Sequence, residues 1–393
     1  MPNRKFYAIE RREQRKFIVT MTVYHGCNLN CRYCYERRAN KDTESMDFEI
    51  AKNVITRFME ADNGFDNNEF QFFGGEPMMV FPLIKKIVDW FHTHSWKKGH
   101  IFFICTNGTI LTEEMKGWLT QNKQCVTAGI SLDGNKTAHD TGRSNSYDLL
   151  LRNLPFFKET WPTQPAKMTI YSETIPYVAD SIIELEEMGL HFTANIVFEN
   201  IWGNAKQKKN LLGMYKKQLI RLVDYYACHP HLEPVGPLLQ RDLEYINLPN
   251  RKIKVSDGDC QRYCGAGHEM VMVEVDGTIF PCHRFANWIT NSTAPTIPIN
   301  IQKIWKPESC AQCNFITICP TCAGFNWELN GDTGIRTTYH CEAFKLELWA
   351  SAQLQAIRLG QCELSDLLRL SEQEKSRIKR RLEWILEFSG KEL

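Results

Sequence analysis

The chain has 393 residues, with 47 Lys and Arg against 46 Asp and Glu, a formal net charge of +1 and 43% hydrophobic residues. That length holds a large core and more than one domain. Charges so evenly mixed exclude a global field for nucleic acid, and no run approaches the roughly 20 apolar residues that span a bilayer.

The basic opening (Arg4, Lys5, Arg11, Arg12, Arg15, Lys16) lacks the apolar core and cleavage site of a targeting peptide, so a cytoplasmic protein is expected. Apolar runs of strand length then alternate with amphipathic segments. FIVTMTV, EFQFF, IFFIC, CVTAGIS, AKMTIYS and FTANIVF read as strands, and residues 47–62, 81–95, 112–121, 147–160, 177–189 and 207–228 as helices between or after them. Such a series implies an α/β fold of parallel strands joined by right-handed crossovers. Residues 229–258, which open on HPHLEPVGPLL, break the pattern and read as a linker. Residues 259–344 are rich in cysteine, with a strand signal at VMVEV and a turn at Asp276-Gly277. Residues 345–393 read as helical and end on the amphipathic stretch SRIKRRLEWILEF, taken as a solvated helix face.

Fifteen cysteines without an export signal argue for metal rather than disulfides. Eight lie between Cys260 and Cys341 and three in CNLNCRYC, at Cys27, Cys31 and Cys34. Cys105 and Cys125, on strands, are expected in the core. Three thiolates on one tight loop can hold three irons of a cubane cluster and leave the fourth open to a small molecule. Zinc wants closed four-ligand coordination, for which His25, across Gly26, is the near candidate.

Other motifs follow strands in turn: Gly74-Gly75-Glu76-Pro77 after EFQFF, Thr106-Asn107-Gly108-Thr109 after IFFIC, and Ser131-Leu132-Asp133-Gly134 after VTAGI, with His139, Asp140 and Arg143 next. Together with CNLNCRYC they resemble the radical S-adenosylmethionine (SAM) enzymes over about residues 17–215. The resemblance implies a partial (β/α)6 barrel over residues 1–228, with chemistry at the C-terminal ends of the strands. It implies a 4Fe–4S cluster on Cys27, Cys31 and Cys34 whose open iron chelates SAM. Tyr33, Gly74, Gly75 and Glu76 would contact the methionine and adenine parts. Asn107 would join the cofactor site, Ser131 would bond the ribose, and Arg143 would pair with the carboxylate. Plain turn formation is the alternative for Ser131 and Asp133.

The later cysteines run Cys264-x12-Gly277-x4-Cys282, Cys310-x2-Cys313-x5-Cys319-x2-Cys322, then Cys341. This resembles the SPASM domain of radical SAM enzymes that modify peptides and proteins, and places it at residues 259–344. Two residues separate Cys319 from Cys322 where the family has three, and Cys260 is an added eighth cysteine. The resemblance implies two auxiliary 4Fe–4S clusters, one on Cys260, Cys264, Cys282 and Cys322 and one on Cys310, Cys313, Cys319 and Cys341. A pair of zinc sites is the alternative.

By resemblance, reductive cleavage of SAM gives a 5′-deoxyadenosyl radical that takes a hydrogen from a peptide, and three outcomes compete: an intramolecular thioether or carbon–carbon crosslink, oxidation of a Cys or Ser to formylglycine, and epimerisation or oxidative decarboxylation. Sulfatase-maturing relatives, which make formylglycine, carry Asp after the cysteine that corresponds to Cys282 and Gln before the first glycine of GGEP. Here His283 and Phe73 stand there, which favours crosslinking of a ribosomally synthesised peptide over formylglycine formation. His283 becomes the candidate base, packing against a cluster being the alternative. The expected partners are a precursor peptide and a flavodoxin or ferredoxin as electron donor. Since Cys27 leaves no room ahead of it for a winged-helix recognition domain, the leader is expected on a separate leader-binding protein, in the barrel–SPASM groove or on the C-terminal helices. A non-catalytic zinc-stapled peptide-binding protein is the reading from another class.

Overall fold

A computed structural model describes residues 16–36, 43–235, 238, 265–286, 308–311, 313–316 and 319–360, with 376, 379, 380 and 382–387 beyond them. The elements run β1 (Lys16–Tyr24), α1 (Phe48–Glu60), β2 (Asn67–Gly74), α2 (Phe81–Phe91), β3 (Gly99–Thr106), α3 (Glu113–Asn122) and β4 (Val126–Ile130). They continue with α4 (Lys136–Gly142), α5 (Tyr147–Thr160), β5 (Ala166–Ile170), α6 (Val178–Glu187), β6 (Phe192–Ile196) and α7 (Ala205–Cys228). After these come β7 (Met270–Val273), β8 (Ile279–Phe280), α8 (Ala323–Asn330) and α9 (Cys341–Gly360). All six anticipated strands and the six helices beside them are present. The seven-residue α4 is an addition to what the sequence pattern suggests. Chain contacts divide the protein into two compact units, residues 1–131, 146–166 and 264–299, and residues 132–145, 167–263 and 300–393.

In the first unit β1, β2, β3 and β4 pair in sequence order, all parallel. Their alternate residues are fully enclosed, among them Val19, Met21, Phe70, Phe72, Phe102 and Ile104. Phe72 stacks on Phe102 at 5.5 Å, and Phe91 of α2 meets Phe102 edge-on at 5.1 Å, so helix and sheet share one aromatic core. Side-chain caps start α1 and α3: Asp47 accepts from the Glu49 N–H before α1, and Thr112 from the Met115 N–H before α3. The strand signal VMVEV has a use that the sequence pattern does not disclose. As β7 it pairs in parallel with β1, Ile18 facing Met270, and it turns at Asp276-Gly277 into β8, giving the order β4-β3-β2-β1-β7-β8. Cys105 and Cys125 are only partly buried, and the Cys125 sulfur lies 3.5 Å from His92 Nε2.

In the second unit β5 pairs with β6. Tyr215 of α7 is enclosed and its hydroxyl donates to Glu347 Oε1 of α9 at 2.8 Å. Arg358 closes the other end of the same pair of helices, donating to the carbonyls of Tyr226 (2.9 Å) and Leu232 (3.0 Å). Leu382 and Ile385, from the amphipathic last stretch, are buried with Phe315, Phe344, Leu348 and Ala352, so that stretch spends its apolar face on its own core. Residues 239–258, most of the expected linker, lie outside the described residues. Among the described residues no helix is long and apolar enough to cross a membrane.

Tyr215→Phe removes the phenolic donor from a carboxylate that is 9% exposed. The expected cost is about 1–3 kcal/mol of stability, read as a lower urea midpoint with an unchanged slope. A midpoint equal to that of the parent protein would show that the bond does not hold α7 to α9.

Candidate active site

The cysteine loop begins where β1 ends. The Cys34 N–H donates to the Cys31 carbonyl at 3.2 Å, turning the loop back on itself. Its entry is fastened by backbone alone: the Gly75 N–H donates to the Tyr24 carbonyl at 2.9 Å and the Glu76 N–H to the Gly26 carbonyl at 2.8 Å. Gly74 sits at a φ of 130°, and a Cβ there would overlap the Tyr24 carbonyl oxygen, while one on Gly75 would overlap that of Gly26. Only glycine permits this approach.

Glu76 is 1% exposed and acts as a knot. Its Oε1 accepts from Thr106 Oγ1 (2.7 Å) and the Met78 N–H (3.0 Å), and its Oε2 accepts from the Asn107 N–H (2.7 Å). Asn107 passes the bracing on. Its Nδ2 donates to Asn28 Oδ1 at 2.9 Å and lies 4.0 Å from Cys27 Sγ, which also accepts from the Leu29 N–H at 3.4 Å. Donors aimed at a cysteine sulfur suit a thiolate bound to iron. Ser131 is held by its N–H on the Thr106 carbonyl at 3.1 Å, and Tyr33 is partly buried within the loop. His25 Nε2 meets Glu274 Oε2 at 2.8 Å, so the side chain considered for closing a zinc site is engaged elsewhere.

His283 opens a helical turn, His283–Ala286, and lies between two rings. Tyr35 stacks on it at 5.7 Å and Phe73 packs at 5.4 Å, while the Arg284 guanidinium lies 5.2 Å above the Tyr35 ring. The stack therefore ties the residues next to Cys34, Gly74 and Cys282. Burial pushes the Tyr35 hydroxyl far above its ordinary range, and Glu36, Cys34 and Cys282 add to this while Arg284 opposes it. Tyr35 and Arg284 escape the sequence reading. Their signal is adjacency, each one residue beyond a candidate site residue.

Asp133, His139 and Arg143 form a buried knot in the second unit. Arg143 Nε donates to Asp133 Oδ2 at 2.8 Å, the Thr169 N–H to Asp133 Oδ1 at 2.9 Å, and the Asp133 N–H to His139 Nδ1 at 3.2 Å. Burial lowers the His139 pKa to about 4; Arg143 and Lys136 press the same way against Asp133 and Asp140. Of the later cysteines, Cys310, Cys313, Cys319 and Cys341 lie close enough to act electrostatically on one another. Burial pushes the Cys319 thiol up to about 12, and Cys341, Cys313 and Cys310 reinforce the rise against the Arg336 guanidinium. Among the described residues no three His, Cys, Asp or Glu side chains are gathered tightly enough for a single metal ion. A cubane asks for something else, one thiolate per iron, and it displaces the protons that burial retains. The donor sets of Cys27, Cys31 and Cys34 and of this quartet fit such a group. Cys282 belongs to the first unit and Cys322 to the second, while Cys260 and Cys264 lie outside the described residues.

Residues 21–171 match the family model of the Radical SAM superfamily, which takes in the cysteine loop, GGEP, Asn107, Ser131 and Arg143. This chain carries a radical SAM domain. A radical SAM domain implies SAM and a 4Fe–4S cluster as cofactors. The chain is similar to the uncharacterised protein MJ0907 of Methanocaldococcus jannaschii, 28% identical over 275 residues, or 67% of this chain and 83% of that one. It is also similar to the radical SAM cyclopropyl synthase TigE of Paramaledivibacter caminithermalis, 27% identical over 376 residues, 87% of this chain and 75% of that one. Its fold is that of the sulfatase maturase anSMEcpe solved with AdoMet and the Cp18Cys peptide. The two align with a TM-score of 0.62 at 20% identity, over 86% of this chain and 98% of that one.

Two outcomes are expected at the site. Gly75→Ala forces a Cβ against the Gly26 carbonyl, which should cost about 1–3 kcal/mol and reduce iron retained by the cysteine loop; parental stability together with parental iron content would refute the close-approach account. The second concerns acid. Between pH 6.5 and about 4 the unfolded chain takes up a proton that folded His139 refuses, so stability falls as pH falls through that window. The slope is at most about 1.4 kcal/mol per pH unit from this group. His139→Asn should flatten the urea midpoint against pH by one proton's worth, and an unaltered profile would assign the acid sensitivity elsewhere.

Proposed function

We propose that this radical SAM enzyme is a peptide maturase that forms an intramolecular thioether or carbon–carbon crosslink in a ribosomally synthesised peptide. The supporting observation is the gathering of Cys310, Cys313, Cys319 and Cys341 in a chain that also carries the radical SAM domain. A crosslink removes two electrons from the peptide, and a second redox centre gives the departing electron a place to go. On this reading residues 259–344 form a SPASM domain holding two auxiliary clusters, one on that quartet and one on Cys260, Cys264, Cys282 and Cys322. The peptide in anSMEcpe supports a peptide substrate, and the ring-forming activity named for TigE supports bond formation within it.

When bound, SAM and the cluster supply a one-electron cleavage that yields a 5′-deoxyadenosyl radical able to abstract hydrogen from a C–H bond. The chain's own residues do the rest. Cys27, Cys31 and Cys34 hold the cluster, braced by Asn107 and the GGEP backbone. Tyr33, Gly74, Gly75 and Glu76 shape the methionine and adenine site, Ser131 meets the ribose, and Arg143, held at Nε by Asp133, pairs with the SAM carboxylate. His283, its ring held between Tyr35 and Phe73, takes the proton that leaves the substrate as the new bond forms.

The test is the mass of a small peptide encoded beside this chain after anaerobic incubation with enzyme, SAM and reductant. A loss of about two mass units per event, with fragmentation suppressed across an internal segment, is the expected result. Conversion of a Cys or Ser to formylglycine on a sulfatase peptide, with no crosslink in the precursor, would replace this reading with sulfatase maturation. Changing Cys27, Cys31 and Cys34 together to Ala should abolish SAM cleavage, whereas His283→Ala should spare cleavage and lose the crosslink.

A further inference from the structure

Arg336 lies outside the chemistry of the radical SAM site, and its surroundings are built to hold it. α8 ends on Gly331, whose φ of 65° turns the chain sharply. The loop beyond it is pinned by amides of α8 itself. Asn326, 0% exposed, donates through Nδ2 to the Thr333 carbonyl and to Thr321 Oγ1, both at 3.1 Å, and its Oδ1 accepts from the Thr337 N–H at 3.2 Å. Asn330 Nδ2 donates to the Ile335 carbonyl at 2.9 Å. Between these fixed points the loop delivers Arg336, itself 6% exposed, onto the cysteine segment, where its Nη1 donates to the Cys319 carbonyl at 3.2 Å. The guanidinium is close enough for its charge to act at the sulfurs of both Cys310 and Cys319. Burying a cation is costly, and hydrogen bonds and counter-charge offset the cost. A cluster bearing four thiolates is anionic and adds a full counter-charge to the carbonyl contact.

We infer that Arg336 is a tuning residue for the 4Fe–4S cluster of Cys310, Cys313, Cys319 and Cys341, its fixed positive charge favouring the reduced form and so fitting that cluster to accept an electron from the substrate. The inference rests on the quartet being a cluster site, as proposed above. The substrate radical gives up one electron as its new bond forms, and a proton passes to the base. The cluster gains that electron, and one more negative charge, until it hands the electron to a carrier of the flavodoxin or ferredoxin class. Net charge and hydrogen bonding set the potential of such clusters. A cation held in a low-dielectric interior acts with little screening by solvent or salt.

The experiment is a redox titration followed by EPR on the reconstituted full chain, with Cys27, Cys31 and Cys34 replaced by Ala so that only auxiliary clusters report. Arg336→Gln and Arg336→Met should each lower one midpoint by at least the equivalent of a tenfold change in the oxidised-to-reduced ratio, about 59 mV for a one-electron couple. The other auxiliary cluster, in the same sample, should not move. Arg336→Lys should restore most of the shift, because it keeps the charge and gives up only the fork. Unchanged midpoints in both neutral variants, or a Lys variant as low as Gln, overturn the inference. Loss of the cluster in both neutral variants with retention in Lys also overturns it, in favour of a purely structural cation. The ligand reading is tested separately: Cys319→Ser should lower the iron content and remove the responsive EPR signal. Iron and signal that survive this change remove the cluster site, and the inference with it.

Discussion

The close approach of two strand ends is the constraint on which the rest of the site depends. Gly74 and Gly75 have no side chains, so the end of β2 lies directly against Tyr24 and Gly26 at the end of β1. The cysteine loop leaves the sheet from that point, and its course is decided before any metal is considered. Glu76 extends the constraint sideways. A carboxylate buried at this depth is tolerable only when its lone pairs are used, and it uses them on Thr106, Asn107 and Met78, which joins the end of β3 to that of β2. The residues recognisable as motifs are thus mostly scaffold for one another.

Much of this was legible in the sequence, for reasons that differ from residue to residue. The six strands and their helices show because apolar runs and amphipathic periods are local properties, and helix α5 at Tyr147–Thr160 matches its expected range at both ends. The motifs show because they sit just after strands. What stayed hidden is non-local. Nothing about VMVEV says that its partner is β1, some 250 residues upstream. Nothing in the spacing of Cys310 to Cys341 indicates that Arg336 is turned inward among them. Asn326 illustrates the difficulty: an Asn near a helix end is ordinarily a solvated residue, and only the returning loop makes it a buried clamp.

Buried charge is used in two styles. Asp133 with Arg143, and Glu347 with Tyr215, are ionisable groups answered by side-chain partners, which fix geometry with little dependence on the cofactor. Arg358 is answered by backbone carbonyls at the end of α7, where the helix presents its negative pole. Arg336 adopts the second style, donating to the Cys319 carbonyl.

The position of β1 between β2 and β7 also bears on how the chain is made. While residues 16–130 emerge, β1 can pair with β2 on one side only. Its other edge, with the backbone groups of Ile18 to Met21, must wait for Met270–Val273. At ordinary rates of synthesis that wait is on the order of tens of seconds. During it the nascent half-sheet presents an open edge of apolar residues, the kind of surface that recruits a neighbouring chain. Completion of the sheet is therefore a late event, and slow synthesis, weak expression of partner chaperones or truncation ahead of residue 270 would all act on the same exposed strand.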